Sequence, residues 1–243
     1  PQLEKTMAAN IQRFRDTEAL FQFAVEDIAR RVKKEEAPGS ITICVEDLAN
    51  FPAPPTVLYE ILRPYGFVPA QAVAVLERAE GQPGAIFLSR EWRLLIDRGE
   101  IRLEPVQNIE EVPIELHLTT GSAAVPEGWF DIDRLEGKPA VISADPHTAM
   151  LDADLLEWPL RLRRWKPGDF FYPFGMKGQR KKLQDLFTDE KLSRFDKEKV
   201  WIIETANGDI CWVAGYRIDD RFRISSSTSR FLVLKYHKND STL

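Results

Sequence analysis

Apolar residues return every three or four positions at the start of the chain: Leu3, Met7, Ile11, Phe14, Phe21, Val25, Ile28 and Val32, with one break at Glu18. That spacing predicts a single long helix over residues 3–33. Arg30, Arg31, Lys33 and Lys34 suit its C-terminal end, where the helix dipole favours cations, and Pro38-Gly39 stops it. Two readings of so long a helix stay open, a connector from an upstream domain and the first helix of a bundle. Ser40–Val45 is a β-branched run, and Phe51–Pro55 is a turn. Thr56 is placed to cap a helix running through Arg63, with Leu58, Ile61 and Leu62 inward, and Gln71–Arg78 reads as a second helix. The period then drops to two. Ala85–Leu88, Trp92–Asp97 and Ile101–Leu103 read as short strands joined by turns at Ser89-Arg90 and Arg98-Gly99.

Residues 106–157 are punctuated by Pro113, Gly121, Pro126, Gly128, Pro139 and Pro146, with strand-like pieces at Ile114–Leu118 and Ala140–Ser143. So many breakers suggest a β-rich connection. Beyond it, Leu160–Arg163 alternates apolar and basic, as a strand with its cations on one face does. Leu183–Phe187 reads as a helix. Val200–Glu204 and Ile210–Val213 flank Asn207-Gly208, a hairpin signal, and Phe231–Tyr236 makes a last strand. The fold class expected is α+β, a mainly helical domain with a small strand meander joined to a small C-terminal α+β domain. The expected division is a middle domain over 1–110, a β-rich connecting segment over 111–154 and a C-terminal domain over 155–243.

Composition narrows the class. The chain has 243 residues, 44% hydrophobic and 29% charged, which excludes disordered, collagen-like and membrane-spanning sequences. The N-terminus has no apolar signal-peptide core, and the opening on Pro1 in mid-pattern suggests a piece of something longer. Cys44 and Cys211 lie far apart among apolar neighbours and read as reduced thiols of a cytoplasmic protein.

Most catalytic chemistries have no footing here. The chain carries no GxxxxGK[ST] phosphate loop, no GxGxxG, no HExxH and no CxxC. His117, His147 and His237 have no metal-ligand spacing, and Ser225–Ser229 reads as a solvated loop. Asp219-Asp220 is a carboxylate pair able in principle to hold a metal or work as acid and base; its flanking Arg217 and Arg221 favour a surface salt-bridge network. No catalytic or metal residues are therefore expected.

Charge changes the picture. The net charge is −5, which alone argues against nucleic acid, yet eight cations against the single acid Asp169 give residues 161–182 a charge of +7 and leave −12 elsewhere. Arg161, Arg163, Arg164, Lys166, Lys177, Arg180, Lys181 and Lys182 are the candidate phosphate contacts. Gly175 and Gly178 let a backbone come close, and a helix starting near Lys181 would add free N–H groups. Phe170, Phe171, Tyr172 and Phe174 interleave with the cations, either as stacking surfaces for bases or as the hydrophobic anchor of a loop.

This segment, Leu-Arg-Leu-Arg-Arg-Trp-Lys-Pro-Gly-Asp-Phe-Phe-Tyr-Pro-Phe-Gly-Met-Lys-Gly followed by Lys181-Lys182-Leu183, resembles the C-terminal domain of tRNA(Ile)-lysidine synthetases. Residues 210–222 are similar to that domain's strand and Gly-x-Arg-Ile turn, and residues 86–101 to the family's middle domain. Residues 1–20 look like the helix by which the chain leaves the catalytic domain. The resemblance implies an enzyme that uses ATP and magnesium to adenylate the wobble cytidine of an isoleucine tRNA, after which lysine displaces AMP. In that family the chemistry belongs to an N-terminal domain with a Ser-Gly-Gly-x-Asp-Ser loop, a motif this sequence lacks. No ATP, lysine or magnesium residue is carried over. The implied role is that of an inactive C-terminal part, without a cofactor of its own, gripping tRNA(Ile) at the acceptor stem. Its partners would be the tRNA and the catalytic domain, with no membrane and with a homodimer allowed. The alternative is a protein-interaction or dimerisation module whose long helix and aromatic loop are contact surfaces.

Overall fold

A computed structural model describes residues 2–37, 39–81, 83–106 and 112–239. It is an α+β chain in two compact units, one up to residue 108 and one from residue 109 on. No helix among the described residues is long and apolar enough to cross a membrane.

The first unit opens with helix α1 (Gln2–Val32), which runs unbroken through Glu18. At ~1.5 Å per residue it is about 46 Å long. Its two buried residues, Val25 and Val32, lie in its C-terminal part, whereas Leu3, Met7, Ile11 and Phe14 are exposed. Strands β1 (Lys33–Ala37) and β2 (Ser40–Cys44) follow, then helices α2 (Val45–Ala49), α3 (Pro54–Leu62) and α4 (Pro69–Ala79). Strands β3 (Ile86–Leu88), β4 (Trp92–Asp97) and β5 (Glu100–Pro105) complete an antiparallel sheet of order β1-β2-β5-β4-β3. Arg98 and Gly99, both at positive φ, make the two-residue turn between β4 and β5. The core joins Leu58, Ile61 and Leu62 of α3 and Ala72 and Val75 of α4 to Ile43, Leu94, Ile96 and Ile101 of the sheet. Two details differ from the sequence expectation. The meander is part of a five-stranded sheet, because the charged run Lys33–Ala37 forms an edge strand, where charge is tolerated. Thr56 is not the cap of α3; the helix starts at Pro54 from Ala53, since proline presets the first-turn φ.

The second unit contains β6 (Ile114–Leu116), β7 (Ser122–Val125), β8 (Gly128–Glu136), β9 (Thr148–Asp152), β10 (Leu160–Arg164), β11 (Phe170–Phe171) and β12 (Lys181–Lys182). Helices α5 (Leu183–Asp189) and α6 (Arg194–Glu198) and strands β13 (Trp201–Glu204), β14 (Ile210–Val213), β15 (Arg217–Ile218) and β16 (Arg230–Lys238) follow. They form a five-stranded sheet β15-β14-β13-β10-β6, a four-stranded sheet β7-β8-β16-β9 and the small ribbon β11-β12. The two larger sheets face each other: Leu160, Leu162, Trp201 and Ile203 meet Phe130, Ile132, Leu151, Leu232 and Leu234 in one core. Alternate residues of β13 point the other way, so Val200 and Ile202 pack with Leu183, Leu186 and Phe187 of α5 in a second core. Gly128 is needed at its position, because a Cβ there would lie 1.8 Å from the His237 carbonyl oxygen across the ladder.

Residues 111–154 correct the division expected from sequence. From residue 112 to 154 the stretch is β-rich but not a connection: β6 pairs with β10, while β8 and β9 flank β16, so it supplies four of the nine strands of the sandwich. Ala140–Ser143 forms no strand. The Asn207-Gly208 hairpin is present in a longer form, with Gly208 at φ 86° and the Thr205 N–H donating to the Asp209 carbonyl.

Candidate nucleic-acid interface

The eight candidate cations divide by what surrounds them. On β10, Leu160 and Leu162 face the core and Arg161 and Arg163 the opposite side, as the alternation requires. Arg163 is nearly buried and lies between two nearly buried carboxylates. Its Nε and Nη2 donate to Glu204 Oε2 at 2.9 and 2.6 Å, and Nη1 and Nη2 to the two Asp169 oxygens at 2.8 and 3.0 Å. A fifth hydrogen bond, Nη1 to the Arg164 carbonyl at 2.9 Å, uses the last donor of the fork. Burial pulls the guanidinium pKa down, but the bonds to Asp169 and Glu204 outweigh it and the net shift is upward. Arg164 stacks 3.8 Å from the Trp201 ring centre and donates to Glu127 and to the Lys199 carbonyl, both at 2.5 Å. Glu127 in turn accepts from the Trp201 indole N–H at 3.1 Å. Lys181 reaches Asp189 at 2.5 Å.

Arg163 and Arg164 are therefore corrected from phosphate contacts to internal ties. Besides Asp169, which the segment's +7 already counts, their charge is matched by Glu204 and Glu127, which lie outside the segment. Arg161 is half-exposed, with Glu115 only at 4.0 Å. Lys166, Lys177, Arg180 and Lys182 are exposed, and among the described residues no carboxylate lies within 4 Å of them. These four stand on the β11-β12 ribbon and its turns, together with Gly175, Lys177 and Gly178 at positive φ.

The ribbon is held from several sides. Asp169 accepts from the Lys166 N–H at 2.7 Å, closing the turn before β11, and its carbonyl takes the Leu183 N–H at 2.9 Å. That last bond and the shortness of α5, seven residues, remove the expected helix-terminus phosphate site. Asp219 is fully buried and accepts from the Tyr172 N–H, the Arg221 N–H and the Arg221 guanidinium at 2.9–3.0 Å. Hydrogen bonds to Asp219 raise the Arg221 pKa. Asp220 pairs with Arg223 at 3.1 Å, so both carboxylates considered for acid–base work belong to structural pairs. Among the described residues no three His, Cys, Asp or Glu side chains are placed to hold a metal. Of the aromatics, Phe171 is buried as an anchor, Phe170 lies under the Arg180 guanidinium at 3.7 Å, and Arg221 lies over Tyr172 at 4.5 Å. Phe174 alone of the four is exposed, at 50%. One cation that sequence reasoning noted only as a flank, Arg217 on β15, is also exposed, and the Phe174 N–H donates to the neighbouring Ile218 carbonyl at 3.0 Å. Only three-dimensional pairing brings Arg217 to the loop.

Comparison with known proteins bears on this arrangement. Residues 36–106 match the family described as TilS substrate binding domain, and residues 160–234 match TilS substrate C-terminal domain. The chain belongs to the tRNA(Ile)-lysidine synthase family. It is 35% identical to the tRNA(Ile)-lysidine synthase of Parabacteroides distasonis, over 97% of this chain and 52% of that protein. The Bacteroides thetaiotaomicron synthase is 31% identical over 97% of this chain and 51% of its own length. The chain thus spans about half the length of the curated synthases it matches. A crystal structure of a TILS C-terminal domain is 26% identical, with a TM-score of 0.43, over 54% of this chain and 94% of that one.

Proposed function

We propose that this chain is the tRNA-gripping part of a tRNA(Ile)-lysidine synthase. In this reading the basic ribbon of the second unit holds the acceptor stem of tRNA(Ile), while a separate N-terminal domain uses ATP, magnesium and lysine to convert the wobble cytidine to lysidine in the cytoplasm. The chain by itself would not form lysidine. The exposed apolar stripe of α1, from Leu3 to Phe14, is assigned to contact with that catalytic domain.

The observation that carries the reading is the set of Lys166, Lys177, Arg180 and Lys182, exposed and, among the described residues, without a carboxylate within 4 Å, in a chain of net charge −5. Arg163 and Arg164 are neutralised inside the fold; here charge is left facing solvent on a ribbon that buried groups hold in place. Duplex RNA is gripped through phosphates and shape, which such a surface serves.

The test is a fluorescence-anisotropy titration of this chain with a tRNA(Ile) transcript at two salt concentrations. With roughly four phosphates engaged, log affinity falls against log salt with a slope of about −3. Replacing Lys166, Lys177, Arg180 and Lys182 together by alanine weakens binding about 100-fold at low salt and flattens the slope, with the melting temperature unchanged. A quadruple variant that binds like the parent would sink the assignment.

A further inference from the structure

Next to the basic loop the second unit holds a cavity of about 430 Å3. That is within the ~300–1,000 Å3 span of sites for small molecules. Ile142, Met150, Trp212 and Ile218 give it apolar walls, and the rings of Phe174 and Tyr216 line it. Phe174 belongs to the loop that carries Lys177 and Arg180, and its backbone bond to Ile218 pins that loop at the cavity's edge. The lining is not purely apolar. Arg217 is exposed, and among the described residues no carboxylate lies within 4 Å of it; Arg223 brings a second guanidinium, paired with Asp220. Asp145 supplies a carboxylate whose backbone bond from His147, at 2.9 Å, holds its pKa below the ordinary aspartate value.

We infer that this cavity receives one unpaired nucleotide of the bound RNA. The inference rests on the RNA-binding reading above and adds a second, chemically different element to it. A base inside a duplex is stacked on both faces and its A-form major groove is closed to side chains, so the ribbon's cations can only hold phosphates there. A base outside the duplex offers a free ring face, which exposed aromatic rings take up with little regard to sequence. Phe174 provides such a ring, Arg217 a cation for the attached phosphate, and Asp145 an acceptor for an amine or a ribose hydroxyl. An apolar side chain of a protein partner would use the same walls but leave Arg217 without a counterpart.

Two RNAs with an identical stem separate the possibilities, one blunt and one with a four-nucleotide single-stranded 3′ extension. Both are titrated against the full 243-residue chain at one salt concentration. The extension strengthens binding about tenfold in the parent chain. Phe174→Ala and, independently, Arg217→Ala abolish that gain and leave blunt-stem affinity within about twofold. Equal affinity for the two RNAs in the parent chain, or equal weakening of both by Phe174→Ala, overturns the nucleotide site while leaving the ribbon's role intact. Failure of both RNAs to bind removes the RNA reading itself. Sedimentation of the parent chain as a dimer that Phe174→Ala dissociates would assign the cavity to a second copy instead.

Discussion

The strand half of the basic segment, with three cations, and the ribbon half, with five, put most of them to opposite use. On β10, Arg163 has all five donors engaged and Arg164 is wedged between Trp201, Glu127 and a backbone carbonyl. On the ribbon, Lys166, Lys177, Arg180 and Lys182 face solvent without an acid within 4 Å among the described residues. A cation's worth to function therefore depends on whether the fold supplies its counterion. A charge count along the chain cannot see that, because Glu204 and Glu127 lie 41 and 37 positions from the arginines they hold.

The comparison breaks most visibly at Arg163. Arg163→Ala leaves Asp169 and Glu204 nearly buried without their counterion, a loss of about 3–5 kcal/mol read from urea unfolding. Wild-type stability combined with weakened RNA binding would place Arg163 with the ribbon cations. Arg164→Lys is a smaller probe. An ammonium cannot stack flat on Trp201 while bonding both Glu127 and the Lys199 carbonyl, so about 1–2 kcal/mol goes and RNA affinity stays. Lys181 sharpens the boundary, since it is paired with Asp189, whose side chain is 65% exposed. Lys181→Ala changes stability by less than about 1 kcal/mol. A fall in RNA affinity with a shallower salt slope would add Lys181 to the ribbon set, and an unchanged slope would leave it with β10.

Local pattern carried much of the fold. The 3–33 helix, the helix read at Gln71–Arg78 and found at Pro69–Ala79, the strand Trp92–Asp97 and the hairpin about Asn207-Gly208 were legible because each is specified by residues close in sequence. Strand β8 shows where that stopped. Phe130 and Ile132 alternate with Asp131 and Asp133 as a half-buried strand should, but Pro126, Gly128 and Gly137 at its ends read as loop punctuation. Gly128 is in fact the first residue of β8, required there by the close approach of the His237 carbonyl on β16. Within the candidate site the basic segment was readable, and an anchor was one of two roles left open for its four aromatics, which Phe171 fills; the neutralised arginines and the cavity beside Phe174 were not readable, since both depend on partners from distant strands.

The order of the four-stranded sheet also governs how the molecule is made. Strand β16 stands between β8 and β9, matched along all nine of its residues to β8 and along Phe231–Lys235 to β9 from Asp152 back to Thr148. Both neighbours leave the ribosome well before it, with Phe130, Ile132 and Leu151 facing a core that Leu232 and Leu234 have yet to reach. Until translation passes Lys238, each presents an open edge to any other nascent or misfolded strand nearby. The last strand synthesised among the described residues closes the facing edges of β8 and β9 at once and leaves β7 and β9 as the sheet's outer strands.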